Sequence, residues 1–165
     1  MRVLGIDPGT QVCGYGLVEQ TGGDLKALDY GVVRAPSAPL PERLRVIHEG
    51  LSAVIARHRP DIVAVEGVFH GINPRTALKI GEGRGIALLV AAAAGVAVAE
   101  YSPATVKKAV VGSGRAHKGQ VQQMVRLILS LPQIPEPEDA ADALAIAICH
   151  CHRHGLEELM GECEE

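Results

Sequence analysis

The chain has 165 residues, 47% of them hydrophobic, and a formal net charge of −3. That length fits one domain with a sizeable core, and no apolar run spans a bilayer uncharged, since residues 88–99 are short, broken by Gly95 and flanked by Arg84 and Glu100. The start of the chain lacks the basic and apolar pattern of a signal peptide, and Cys13, Cys149, Cys151 and Cys163 lack the spacing of a disulfide framework, so a reducing cytoplasm and no membrane partner are expected.

With no Trp and one Phe the core must be aliphatic. Residues 2–6 read as a buried strand closed by Asp7, and Pro8-Gly9-Thr10 as a turn. Strands over 13–19 and 25–33, separated by Thr21-Gly22-Gly23-Asp24, complete an antiparallel meander. Leu44, Ile47, Leu51, Val54 and Ile55 carry helical spacing across residues 41–58, and Asp61 then leads a fourth strand ending at Glu66. Residues 67–75 form a loop holding Phe69, His70 and Asn73. A helix over 76–94 follows, with Ala77, Gly81 and Gly85 at four-residue intervals. Each Gly costs a helix roughly 1 kcal/mol against Ala, so such a stripe implies close approach of another backbone, either the chain's own sheet or a second subunit.

A fifth strand is expected over 96–101, then a short helix behind the Ser102-Pro103 cap, a Gly-rich basic loop over 111–119, and a helix to Leu129. The last helix is expected from Glu138 to about His154. The order is that of an α/β layer fold with a mixed sheet. The catalytic domain is placed at residues 1–156. Residues 157–165, five of them Glu, are an acidic tail expected to be disordered.

Charge is segregated along the chain. Residues 67–126 hold eight basic residues (Arg75, Lys79, Arg84, Lys107, Lys108, Arg115, Lys118, Arg126) against Glu82 and Glu100, giving +6 and leaving −9 for the remainder. A basic middle beside an acidic site suits a nuclease, although a solvated surface cluster has the same composition. Asp7 and Glu66 both end apolar strands, and Asp139 and Asp142 are one helical turn apart at the opening of the last helix. If the first and fourth strands are neighbours, the four acids converge into a hard oxygen cage. Two Mg²⁺ held there suit in-line phosphodiester hydrolysis, with Lys118 neutralising charge on the phosphate.

Val3-Leu4-Gly5-Ile6-Asp7-Pro8-Gly9, Gly14-Tyr15-Gly16, Val65-Glu66-Gly67-Val68-Phe69, Ala77-Leu78-Lys79-Ile80-Gly81 and Arg84-Gly85 together resemble the RuvC family of Holliday junction resolvases. Lys107, Val110-Val111-Gly112, Lys118-Gly119-Gln120-Val121 and Asp139-Ala140-Ala141-Asp142-Ala143-Leu144-Ala145 extend the resemblance over nearly the whole chain. It implies a ribonuclease-H-like fold with a five-stranded mixed sheet flanked by helices. It also implies a homodimer and Mg²⁺-dependent paired nicking of four-way DNA junctions, with Mn²⁺ as a substitute metal and a RuvAB-type branch-migration complex as partner. The family's metal ligands fall on Asp7, Glu66, Asp139 and Asp142, and its active-site lysines on Lys107 and Lys118. Phe69 matches the aromatic that stacks on bases near the junction centre. Asn73, Arg75, Lys79, Lys107, Arg115 and Lys118 are the further candidate DNA contacts. Two departures are Glu82, where many relatives carry Gln, and His70-Gly71-Ile72, which lacks a basic residue some relatives have.

Cys149-His150-Cys151-His152-Arg153-His154 alternates its ligand types around a helix, and no second cluster completes a tetrahedral zinc site. The favoured reading is a helix end whose histidines complement its carbonyl terminus. The competing functional readings are a sugar-kinase or actin-like ATPase, which needs two such domains, an RNase H or RuvX-like nuclease on another nucleic acid, and a catalytically silent junction-binding scaffold.

Overall fold

In the computed structural model, which describes residues 1–67 and 73–161, the chain opens with three strands: β1 (Arg2–Asp7), β2 (Val12–Thr21) and β3 (Asp24–Arg34). There follow α1 (Leu40–His58), β4 (Ile62–Glu66), α2 (Pro74–Ala93), β5 (Ala97–Tyr101), α3 (Pro103–Val111), α4 (Lys118–Ile128) and α5 (Glu138–Gly161). One sheet runs in the order β3-β2-β1-β4-β5. Strands β1 to β3 form the antiparallel meander, while β4 pairs in parallel with both β1 and β5. The expected five-stranded mixed sheet is therefore present, with the two acid-terminated strands side by side.

Strand alternation divides the core between the two faces. Leu4, Ile6, Leu17, Val63 and Val65 pack with Ile47, Leu51, Ala87 and Val90, which belong to α1 and α2. Val3, Val18 and Ala64 point the other way, into a cluster with Val106 and Val110 of α3, Val121 and Val125 of α4, and Leu144 to Ile148 of α5. Counting on by two from Val3 and Ala64 brings Asp7 and Glu66 to this second face. The same alternation that builds the core thus aims both carboxylates toward α5.

Helix α5 lies unusually close to the sheet because three strand positions lack side chains. A Cβ at Gly5 would overlap the Ala143 carbonyl oxygen, one at Gly14 the Asp139 carbonyl oxygen, and one at Gly16 the Leu144 side chain. Covered by the sheet on one side and by α3 and α4 on the other, α5 buries every residue from Ala143 to Cys151. A stretch this apolar, with His150 its one polar side chain, is the pattern of a central core helix.

The structure departs from the sequence reading at several points. Helix α5 continues past His154 to Gly161, so residues 157–161 of the expected tail lie within it, and residues 162–165 fall outside the described residues. The histidines of Cys149-His154 therefore sit inside a helix and do not cap its end. His150 shares a 2.7 Å hydrogen bond with the Tyr101 hydroxyl, and His152 Nδ1 lies 3.0 Å from the Ala109 carbonyl oxygen. On α2 the backbone contact with the chain's own fold is made by Gly83, whose added Cβ would meet the Gly9 backbone nitrogen at 2.9 Å. Gly81 and Gly85 lie roughly −200° and 200° around the helix from Gly83, and a Cβ at either meets no described residue within 4 Å.

Candidate active site

Asp7 and Glu66 sit on neighbouring strands, one position beyond the Ile6–Val65 pair. Beside them, Glu138 and Asp139 open α5 and Asp142 follows within its first turns. Asp7, Glu66 and Asp142 line one cleft of about 200 Å³ together with Lys107 of α3 and Lys118 of α4. Its remaining walls, among them Val106, Val121 and Ile146, are apolar. Asp7, Glu66 and Asp142 are each partly buried, so their charges act on one another more strongly than in water.

Asp7 responds most. Burial pushes its pKa up to about 8, aided by the negative charges of Asp142, Glu66 and Asp139, while Lys118 pulls it down. Burial also raises Glu66, with Asp142 acting in the same direction and Lys107 and Lys118 opposing. Asp142 is raised by burial despite a direct hydrogen bond and ion pair with Lys118. Burial alone would lower Lys118, but its contacts with Asp142 and Glu138 carry it above its ordinary value. Lys118 Nζ stands 2.8 Å from Asp142 Oδ2 and 3.2 Å from Glu138 Oε1. It is the first residue of α4, where the sequence reading placed it in the preceding loop.

This set has the chemistry of a divalent-metal site: hard oxygen donors crowded until one of them resists ionisation, a condition a hard dication relieves. The acids have not closed into a ligand shell. Among the described residues no three His, Cys, Asp or Glu side chains gather at metal-binding distance. Asp142 instead pairs with Lys118. The expected convergence is therefore met by three acids lining one cleft. Asp139 stands beside it, near enough to raise Asp7, with its carbonyl against Gly14.

The other candidates are distributed more widely. Asn73 caps α2, its Oδ1 accepting from the Arg75 backbone N–H at 2.9 Å, a structural duty the sequence reading did not assign. Arg75 and Lys79 are exposed on the first turns of α2, and Arg115 is exposed in the loop before α4. Phe69 lies outside the described residues. Arg84, counted in the basic segment, is engaged through two 2.7 Å hydrogen bonds with Glu100, so it adds little to a free cationic surface. Glu138 was missed. Its signal was available as a third acid in Glu138-Asp139-Ala140-Ala141-Asp142, one helical turn from Asp142. Cys13, Cys149 and Cys151 are buried thiols, with Cys13 pushed up to about 12 and the other two to about 11, chiefly by burial, which makes them poor thiolate ligands.

The family model described as crossover junction endodeoxyribonuclease RuvC matches residues 3–150. The chain is 56% identical over 145 residues to the crossover junction endodeoxyribonuclease RuvC of Heliobacterium modesticaldum, covering 87% of this chain and 90% of that one. It is 55% identical to that of Chloroflexus aurantiacus, over 87% and 88% of the two chains. Among solved structures, Thermus thermophilus RuvC in complex with Holliday junction substrate superposes with a TM-score of 0.88 at 41% identity, over 95% of this chain and 96% of that one. The yeast mitochondrial Holliday junction resolvase Ydc2 shares the fold, with a TM-score of 0.69 at 16% identity over 99% and 85% of the chains. Strand-end acids, α5 acids and full-length similarity agree: the chain belongs to the RuvC family of crossover junction endodeoxyribonucleases.

Proposed function

We propose that the protein resolves four-way DNA junctions by paired, symmetric nicks that leave 5′-phosphate and 3′-hydroxyl ends, in recombination and repair in the cytoplasm. The observation that carries this reading is the cleft in which Asp7, Glu66 and Asp142 face Lys107 and Lys118, in a chain that aligns over 95% of its length with a RuvC bound to junction substrate. Asp7, Glu66, Asp139 and Asp142 would hold two Mg²⁺, or Mn²⁺ in its place, supplying Lewis acidity at the scissile phosphate.

The chain's own residues divide the remaining work. Asp7 and Glu66 are fixed by strand ends, so the reacting phosphate is positioned against a rigid edge. Lys118 offsets negative charge that grows on the phosphate in the transition state, and Lys107 does so from the opposite wall. The apolar walls limit water and so strengthen both effects. Arg75, Lys79 and Arg115 hold backbone phosphates at the surface. With its Oδ1 engaged in the cap, Asn73 would contact DNA through its amide nitrogen. Phe69 stacks on bases near the junction centre. Two such sites, related by two-fold symmetry in a homodimer, would make opposed nicks, on junctions delivered by a RuvAB-type complex.

A cleavage assay tests this directly. Four-way DNA junctions, linear duplex and RNA–DNA hybrid are incubated with the protein and Mg²⁺, and the products are treated with ligase. Symmetric, ligatable cuts confined to the junction are expected. Preferential cleavage of the hybrid would move the protein to an RNase H-type substrate, and junction binding without cleavage would make it a scaffold.

A further inference from the structure

We propose that a groove on the far side of the β1–β2 turn is a second binding station for the DNA phosphate backbone, with Arg43 as its main cation. This inference rests on the junction-nuclease reading above. Asp7 enters the acidic cleft, and the residues directly after it, Pro8 to Val12, form one wall of a separate groove of about 460 Å³. Its other wall is built by Arg43 of α1 with Lys79 and Ile80 of α2. One turn of chain thus connects the groove with the strand end that carries Asp7.

Charge identifies the ligand class. No acid lines the groove, and neither Arg43 nor Lys79 has a carboxylate partner among the described residues. Arg45, two residues on, is clasped by both Glu42 and Glu49, so acids were available locally and do not serve Arg43. Among the described residues the buried Arg43 Nε has no hydrogen-bond partner, although buried donors are almost always satisfied. With no acid lining the groove, a guanidinium at its wall suits a phosphate, which arginine can match bidentately. The groove is also rigid, because Gly83 packs on Gly9 and locks α2 against the turn one helical turn from Lys79. Arg43 lies outside the basic stretch of sequence, which is why charge counting along the chain passes over it.

Binding of a four-way junction, measured by fluorescence anisotropy without a catalytic metal across a salt series, tests the proposal. For Arg43→Gln the slope of log K against log salt should become shallower by about 0.9, the amount for one phosphate contact. Arg43→Lys should recover most of that slope, and Arg43→Gln with Lys79→Gln should lose about twice as much as either alone. Thermal unfolding checks that each variant is folded. If Arg43→Gln does not fold, Arg43→Met, which keeps most of the apolar stem without the charge, takes its place against Arg43→Lys. Slopes equal to wild type in Arg43→Gln and Lys79→Gln overturn the groove as a DNA site, and weaker binding at unchanged slope overturns it too, by assigning Arg43 to packing. Failure of the wild type to bind any junction would instead overturn the nuclease reading itself.

Discussion

At the scale of single residues, Asp7 is held where ionisation costs free energy. Its pKa stands near 8 in the folded protein, against 3.8 for an unperturbed Asp, because burial and three neighbouring acids disfavour the anion. Below about pH 4 both states carry the proton and the contribution to stability is fully present. As the pH rises toward 8 the unfolded chain releases that proton first, and the contribution is lost. Glu66 and Asp142 are raised as well and act with the same sign. Metal-free Asp7→Asn should therefore gain thermal stability over metal-free wild type as the pH goes from 5 to 8, while junction cleavage is abolished. Scanning calorimetry in chelator measures this gap, and a gap that shrinks with pH would contradict the crowding. Added Mg²⁺ should raise the melting temperature of the wild type at pH 8 and leave Asp7→Asn nearly unmoved, since a ligand bound only by the native state stabilises it. Lys118 is the counterpart cation. Its removal in Lys118→Ala should slow single-turnover nicking at saturating junction. If only the junction concentration required were to rise, Lys118 would rejoin the surface contacts.

At the scale of elements, the site depends on how closely α5 lies on β1 and β2. Gly14 is the tightest point for chemistry, because a methyl there would overlap the carbonyl of Asp139. Gly14→Ala should therefore destabilise the protein by about 1–3 kcal/mol, the usual cost of overpacking, and also reduce the nicking rate by displacing the start of α5. Gly23→Ala, with open space around its Cβ, is the matched control and should change neither. Denaturant melts and single-turnover rates separate the two effects. The sheet was legible because each strand carries its apolar pattern up to its acid, so parity alone brings Asp7 and Glu66 to one face. The four acids were legible as a motif, but the pairing of one of them with Lys118 was not. The ion pair of Lys118 with Asp142 joins residues on different helices, and one sequence carries no periodic signal for such a pair. The end of α5 was misplaced for a related reason. The Cys149-His154 run resembles a polar helix end, yet its histidines find partners in Tyr101 and the α3 carbonyl of Ala109.

At the scale of the whole molecule, opposed nicks on a two-fold junction call for two copies of the cleft, and α2 offers a face on which copies can meet. A Cβ added at Gly81 or Gly85 meets no described residue within 4 Å, and Leu78 and Leu89 are 65% and 55% exposed. Steps of three and four residues connect Leu78, Gly81, Gly85 and Leu89, so they share one stripe. Exposed leucines flanking bare glycines bury apolar area while allowing backbones to come close, which is the requirement of a compact helix-to-helix interface. The neighbouring Gly83 provides an internal control, because it faces the Gly9 turn. Gly81→Leu should leave the monomer fold intact, since a Cβ there meets no described residue within 4 Å and Leu favours a helix over Gly by about 1 kcal/mol. The same change at Gly83 should unfold the protein by driving α2 off the turn. Light scattering is expected to show a dimer for wild type and a folded monomer for Gly81→Leu, with paired cutting replaced by slow single nicks. A wild type that scatters as a monomer at assay concentrations, or a Gly81→Leu variant that remains dimeric, would remove α2 as the interface and leave the symmetry of cleavage to another surface.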